Sequence, residues 1–266
     1  ALGVQAYNSV NKPATKIPPS LESSSSSRRN LLKTAAASAA MLVAGTGNPR
    51  AAQAADDVAT PLYFGVGCFW HIQHEFINGE RKILGRGDHE LTSAAGYAGG
   101  SRTDNEGRVC YHNFQGVADY GKLGHGEVVG MTIPQNKIGE FADLYFSLYD
   151  PRTKDRVDPM DKGGEYRSLL GLPGGVNHAS YPIVEESAKT AGFQLVPGKG
   201  NDPDTLGKRI VYVYDSEKYP FYQAEVYHQY HNDFLSPAYG KAYNQLVELA
   251  LDDGRIKGTG CPDRIQ

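Results

Sequence analysis

Apolar residues recur along residues 55–266 with two different periods, and the change of period predicts the order of elements. A continuous apolar run over 61–66 indicates a buried strand, and Phe69, Ile72 and Phe76 then follow at the spacing of one helix face. Asn78-Gly79 stops this helical periodicity. Further strands are predicted at 88–96, 127–133, 166–170 and 210–214, and further helices at 138–149, 183–191, 221–234 and 238–251. Because helices alternate with strands, we predict a single two-layer α/β (α+β) domain in which helices flank a mixed sheet.

Cys68 stands where the first predicted strand gives way to a helix. The unpaired N–H groups of a helix N-terminus favour a thiolate, so this position predicts a lowered pKa for the thiol. Phe69 and Trp70 add aromatic surface beside the sulfur. Together these features indicate chemistry on a polarisable group such as a thioether or its oxide. The alternative is that Cys68 is a small buried core residue, as most free cysteines are.

The charge of the chain is unevenly distributed. The formal net charge is −3, but residues 1–54 carry six basic residues and one acid, so the remaining residues carry a net charge of −8. An acidic body argues against binding to a nucleic-acid backbone. Three cysteines do not make a disulfide framework. They fit one reactive thiol, one resolving thiol and one bystander.

The first 54 residues have the composition of a targeting region. Residues 1–27 are rich in serine and poor in acids, and Arg28-Arg29, a modest apolar run at 35–44 and Ala52-Gln53-Ala54 follow. This order resembles a transit segment followed by a twin-arginine signal, and its apolar run is too short to span a bilayer. We therefore expect a chloroplast protein of the thylakoid lumen, with a domain at 55–266. A bacterial periplasmic protein and a disordered basic tail are the alternatives.

Five ordered segments carry a family resemblance. They are GCFW at 67–70, AAGYAGG at 94–100, GHGEVV at 124–129, DKGGEYRS at 161–168 and FYQAEVYHQ at 221–229. These segments resemble the peptide-methionine (S)-S-oxide reductases, the A-type methionine sulfoxide reductases. The resemblance covers roughly residues 61–235 and implies a ferredoxin-like variant of the predicted domain.

The resemblance implies a thiol-based reaction that needs no bound cofactor. In this family a cysteine thiolate attacks the sulfoxide sulfur, a sulfenic acid forms and methionine leaves. A second cysteine then closes a disulfide that thioredoxin reopens. Cys68 matches the nucleophile, and Phe69 and Trp70 match the walls of the methyl pocket. The implied partners are oxidised proteins and a thioredoxin-like reductant, and we expect a monomer without nucleic acid or membrane.

Other residues match the family by position. Tyr97 and Tyr166 match the two tyrosines that bind the sulfoxide oxygen, and Asp161 matches the acid of a D-x-x-x-x-Y pattern. Cys261 lies in a tail with nearby glycines, where many family members carry the recycling cysteine. Cys110 is the other candidate for that role.

The match to the general acid is incomplete. We expect this acid two residues before a cysteine, where the chain has Arg108 before Cys110. A guanidinium is a poor proton donor, so Glu106 and His71 are the other candidates. The departure leaves open a weak or silent member that binds oxidised methionine or a protein partner.

Two further alternatives come from the residues themselves. His71 and His74 lie three residues apart near Cys68, and His228 and His231 repeat that spacing, which is compatible with a zinc site. A low-pKa thiolate is also compatible with a thiol peroxidase. The aromatic residues beside Cys68 favour a methyl sulfoxide over a peroxide.

Overall fold

The computed structural model describes residues 58–235 and 237–262. The targeting region predicted for residues 1–54 lies outside this range. Within the described part of the chain, no helix is both long and apolar enough to cross a membrane.

Seven strands and six α-helices make up the described domain. The strands are β1 (Ala59–Gly65), β2 (Ala94–Ala98), β3 (Gly126–Pro134), β4 (Leu169–Leu172), β5 (Gln194–Pro197), β6 (Ile210–Asp215) and β7 (Tyr222–Gln223). The helices are α1 (Phe69–Leu84), α2 (Tyr120–Leu123), α3 (Ile138–Ser147), α4 (Tyr181–Ala191), α5 (Lys241–Asn244) and α6 (Leu246–Asp252).

The strands form one mixed sheet in the order β5-β6-β4-β1-β3-β2-β7. β1 lies at the centre and pairs antiparallel with β3 and β4, whereas β6 pairs parallel with β4 and β5. The predicted mixed sheet with flanking helices is therefore confirmed. The central position of β1 matters for function, because its last residue leads through a two-residue turn into Cys68.

Successive side chains of β1 point to opposite faces of the sheet and belong to two different apolar clusters. Phe64 faces the side covered by α1 and α3, where it stacks on Phe76 and Tyr145 with ring centroids 5.2 and 5.0 Å apart. Tyr63 points to the other face and packs with Tyr214 and neighbouring apolar residues. Since each strand presents alternate residues to opposite faces, this pattern fixes the register of the central strand.

Three sequence predictions differ from the structure. The strand predicted at 88–96 begins only at Ala94, because residues 88–90 form a turn. The pair Asn78-Gly79 was expected to end the first helix, but α1 continues to Leu84. Gly79 faces α3, where a side chain would collide with Leu144, so this glycine permits close packing and does not mark a helix end. Residues 221–234 were expected to be helical. They instead form β7, a 3-10 turn (Val226–His228) and irregular backbone with further turns.

The side chain of Gln229 gives the physical reason why this segment is not helical. Its amide oxygen accepts the backbone N–H of Ala95, and its amide nitrogen donates to the Ala95 carbonyl. The side chain thus completes the pairing of β2 at the sheet edge. A helix over 221–234 would remove those hydrogen bonds, and helical periodicity alone does not reveal them.

Candidate active site

The turn between β1 and α1 presents Cys68 at the start of the helix. Gly67 takes a left-handed conformation with φ +66°, which glycine adopts without steric cost. Its N–H donates to the Tyr166 carbonyl at 3.1 Å. Cys68 occupies the N-cap position of α1, is half-buried and is a free thiol. The predicted placement of a cysteine at a helix N-terminus is confirmed.

The predicted lowering of the Cys68 pKa is wrong. Burial raises the pKa of Cys68, and the nearby Glu127 carboxylate raises it further. Hydrogen bonds from the backbone N–H groups of Trp70 and His71 lower it, as expected at a helix start, but they do not offset the loss of solvent. The unliganded site therefore holds a protonated thiol at neutral pH.

Glu127 supplies the cap that a cysteine side chain does not give to α1. Its Oε2 accepts the Phe69 N–H at 2.9 Å, and its Oε1 accepts the Tyr120 hydroxyl at 3.1 Å. The side chain is nearly inaccessible, and burial raises the pKa of Glu127 to about 8, against the lowering effect of the Phe69 hydrogen bond. At neutral pH this carboxyl group carries a proton beside the thiol.

Asp161 holds the turn from the opposite side. Its Oδ2 accepts the Cys68 N–H at 2.8 Å, and burial raises the pKa of Asp161 to about 6 although that hydrogen bond lowers it. Asp161 therefore positions the Cys68 backbone and remains largely ionised at neutral pH.

A cavity opens at the sulfur. Its lining includes the aromatic residues Phe69, Trp70, Tyr111 and Tyr166 together with Glu127. Phe69 and Trp70 are both buried, with ring centroids 6.2 Å apart, so the predicted pair of rings does form one apolar wall. The two tyrosines are half-buried. Burial raises the pKa of both, with the Glu127 charge as the second cause, so both present neutral hydroxyl groups.

The position of Tyr97 corrects its predicted role. Tyr97 is fully buried, and its hydroxyl donates to Glu225 at 2.8 Å rather than lining the cavity. The other oxygen of Glu225 accepts the N–H of Tyr111 at 2.8 Å. Tyr97 therefore supports the backbone that carries Tyr111. Tyr111 and Tyr166 are the pair of tyrosines that the structure brings to the sulfur.

The candidates for a proton donor separate in space. Arg108 pairs with Asp104 at 2.8 Å and donates to the Gly260 carbonyl at 3.2 Å, and neither Arg108 nor Glu106 lines the cavity. The side chain of Glu106 is 70% exposed. The assignment of these two residues to the site is corrected, because the loop directs them toward solvent and the C-terminal tail. His71 does line the cavity, where its Nδ1 lies 3.4 Å from Asp233.

The other two cysteines are joined to each other. Cys110 and Cys261 form a disulfide with a Cα–Cα distance of 5.6 Å and a sequence separation of 151. Cys261 was expected to resolve Cys68 directly. In this state it cannot, because its sulfur is already bonded to Cys110.

The predicted histidine pairs pack against aromatic rings. His74 stacks on Tyr239 with centroids 3.7 Å apart, and His231 lies 4.2 Å from Trp70. Among residues 58–235 and 237–262, one cluster brings metal-ligating atoms within 4.8 Å of each other, and it consists of Cys110, Glu225 and Cys261. The disulfide occupies both sulfur atoms of that cluster. The structure does not bring the histidine pairs together as a zinc site.

Comparison with known proteins decides the family. The chain is 30% identical over 187 residues to a peptide methionine sulfoxide reductase of Saccharomyces cerevisiae, covering 69% of this chain and 88% of the relative. It is also 30% identical over 169 residues to peptide methionine sulfoxide reductase MsrA of Acinetobacter baumannii, covering 62% and 78%. This chain belongs to the peptide methionine sulfoxide reductase A family. It is thereby classed among the oxidoreductases, as the segments at 67–70 and 161–168 predicted.

Comparison with solved structures and with family models gives the following results. Among solved structures, methionine sulfoxide reductase A of Corynebacterium diphtheriae matches with a TM-score of 0.42 and 18% identity, covering 69% of this chain and 84% of that one. No family model matches the chain.

Sequence reasoning missed two residues of the site. Glu127 lies in β3 between buried neighbours, and an acid inside an otherwise apolar strand is the signal that could have identified it. Tyr111 directly follows Cys110 but has no pattern of its own, because its place depends on a loop fold. Both belong to the cavity at Cys68.

Proposed function

We propose that this chain reduces the S epimer of methionine sulfoxide to methionine, with Cys68 as the nucleophile and Glu127 as the proton donor. One observation carries the proposal. A free thiol and a carboxyl group that is protonated at neutral pH share the start of α1, in a cavity walled by aromatic rings. A nucleophile beside a matched acid is what oxygen transfer from a sulfoxide requires.

The proposed step balances without an external oxidant. The Cys68 thiol gives its proton to solvent as the substrate enters, and its sulfur attacks the sulfoxide sulfur while the sulfoxide oxygen accepts a proton from Glu127. The S–O bond of the substrate then breaks, the oxygen is retained on Cys68 as a sulfenic acid, and the thioether leaves. Cys68 is oxidised by two electrons and methionine sulfoxide is reduced by two.

The remaining cavity residues orient the substrate. Tyr111 and Tyr166 present neutral hydroxyl groups that can donate to the sulfoxide oxygen. Phe69 and Trp70 form an apolar wall suited to the methyl group on the same sulfur. Because one side of the cavity binds oxygen and the other binds methyl, the site can distinguish the two epimers at sulfur.

The surroundings of the cavity support protein-bound methionine sulfoxide as the substrate. Val157, Phe234 and Leu235 line it, yet between 55% and 85% of each residue is exposed. An apolar surface next to a pocket is typical of a site that binds a polypeptide segment. We expect a higher kcat/KM for a sulfoxide within a peptide than for the free amino acid.

A thioredoxin-like dithiol completes the proposed cycle. A thiol displaces water from the Cys68 sulfenic acid, and a second thiol reduces the resulting disulfide. Cys261 can supply the first thiol only after the Cys110–Cys261 bond has been reduced, so reduction of that bond precedes its use. The proposal keeps the expected monomer, and it keeps the thylakoid lumen as the expected location on the strength of residues 1–54.

The decisive experiment compares the two epimers. The purified chain, supplied with a dithiol, is mixed with S- and R-sulfoxide dipeptides, and methionine is measured by chromatography. We expect turnover of the S epimer alone, and none with Cys68→Ser. Absence of S-sulfoxide turnover by the unaltered chain contradicts the proposal.

A thiol count tests the silent alternative. Without reductant, one equivalent of S-sulfoxide should consume the single free thiol of the oxidised chain. An unchanged thiol count would favour a binding protein. Arg108 no longer supports that alternative, because it lies outside the cavity.

A further inference from the structure

A chain of polar side chains runs from the surface to Glu127. Its outer end is His112, whose side chain is 44% exposed. The Nε2 of His112 lies 3.1 Å from Oε2 of Glu165, and its Nδ1 lies 2.9 Å from Oδ2 of Asp119. His112 therefore contacts solvent on one side and two carboxylates on the other.

The inner half of the chain passes through Tyr120. Its hydroxyl lies 3.4 Å from Oε2 of Glu165 and 3.1 Å from Oε1 of Glu127. Tyr120 is fully buried, so the hydrogen-bond partners of this hydroxyl are protein groups and not solvent. The same Glu165 oxygen serves both His112 and Tyr120, and the four side chains form one continuous line.

Gly121 leaves room for this line. A Cβ atom at position 121 would collide with the Glu165 carboxyl group. A glycine directly after Tyr120 therefore allows Glu165 to approach the hydroxyl. The approach of Glu165 to Tyr120 therefore depends on the absence of a side chain at position 121.

We propose that His112, Glu165 and Tyr120 relay a proton from solvent to Glu127. The proposal rests on the proposed function, in which Glu127 gives one proton to the sulfoxide oxygen in each turnover. Tyr120 passes its hydroxyl proton to Oε1 of Glu127 and takes one from Glu165. Glu165 takes a proton from His112, which recovers one from solvent. One proton enters for each one consumed.

The position of Glu127 gives the relay its purpose. Glu127 is only 2% exposed and faces the cavity that the substrate fills. A bound polypeptide closes the direct route from solvent, while the line through Tyr120 reaches Glu127 from behind the substrate. Proton exchange can then continue in the occupied site.

The charges around these side chains favour proton transfer from His112 toward Glu127. Hydrogen bonds that His112 donates to Glu165 and Asp119 raise the pKa of His112 to about 9, although burial lowers it. Glu127 faces Asp161 and Cys68 in addition to Tyr120. At neutral pH the outer end is therefore a protonated imidazolium.

Chemical rescue tests the relay. At pH 8.5, where free protons are scarce, His112→Gln should lower kcat at least about fivefold in dilute buffer with saturating dithiol. Added imidazole should restore most of that loss, because it replaces the missing donor. His89→Gln is the matched control. His89 is also exposed and lies 2.9 Å from a carboxylate, Asp253, but it stands outside this line.

A second variant interrupts the line further in. Glu165→Gln should cause a similar fall in kcat that imidazole does not restore, because the next link is missing. Unchanged kcat in both variants overturns the proposal, as does a loss in His112→Gln that imidazole leaves unchanged. If the unaltered chain does not reduce S-sulfoxides at all, the proposed function fails instead.

Discussion

Glu127 of β3 accepts the backbone N–H of Phe69 at 2.9 Å, so a strand carboxyl closes the first turn of the helix that presents Cys68. One hydrogen bond thus joins the structural cap of α1 to the chemistry at its start. Burial keeps this carboxyl protonated at neutral pH. Glu127 therefore has a structural role and a chemical role, which substitution and pH can separate.

Glu127→Gln should lower the rate of sulfoxide reduction by roughly 10²–10⁴-fold, the usual contribution of a general acid. In the unaltered chain, the Glu127-dependent rate should fall as the pH rises through about 8, because only the protonated carboxyl donates. The variant should lose this limb of the pH profile. Glu106→Gln is the control, since Glu106 is exposed and lies outside the cavity, and it should keep the full rate.

The same substitution should change how stability depends on pH. The folded chain holds the Glu127 proton up to about pH 8, whereas the unfolded chain releases it near the ordinary value of 4.5. The stabilisation from that proton is complete below pH 4.5 and is lost as the pH rises through 8. Above pH 8, Glu127→Gln should therefore be more stable relative to the unaltered chain than at pH 4.5, by roughly 3–5 kcal/mol. Urea unfolding at several pH values measures the difference, and parallel curves would contradict the raised pKa.

Gly67→Ala should reduce both stability and activity. A left-handed alanine costs about 1–2 kcal/mol, and its Cβ would lie 2.6 Å from the Asp161 carboxylate that holds Cys68. Gly85→Ala is the control, because Gly85 has a similar φ of +69° and a Cβ added there would have no neighbouring atom within 4 Å. We expect Gly85→Ala to lower the free energy of unfolding alone. Equal rates for the two variants would argue against Asp161 as a positioning residue.

Three tyrosine-to-phenylalanine variants should fall into two classes. Tyr111→Phe and Tyr166→Phe should each lower kcat/KM roughly 10–100-fold, because each removes a donor to the developing oxyanion. Tyr97→Phe should instead cost about 1–3 kcal/mol of stability by removing one hydrogen bond to the buried Glu225 carboxylate. Its activity per folded molecule should be unchanged. A selective loss of kcat/KM in Tyr97→Phe would contradict this division.

The sequence predicted what depends on local pattern. The strand before Cys68, the helix after it and the neighbouring rings follow from periodicity and from the family segments, and the structure places all of them as expected. Contacts distant in sequence could not be predicted this way. Tyr97 shares its segment with the family but donates to Glu225, 128 residues away.

The extent of burial of a side chain was the second property that the sequence could not predict. Position at a helix start predicted a thiolate, yet the pKa of Cys68 depends on how much solvent the fold removes, and that quantity has no local signature. The prediction of a helix at 221–234 was wrong for a related reason. The polar side chains of this segment bond to β2 rather than to a helix, as Gln229 shows.

The Cys110–Cys261 bond ties the C-terminal tail to the residue directly before Tyr111. Ambient thiols that cleave it release the tail from a loop that forms one wall of the cavity. The redox state of the surroundings thus has a covalent connection to the place where an oxidised side chain would dock. Reduction of this one bond would remove the covalent restraint that the tail places on the loop carrying Tyr111.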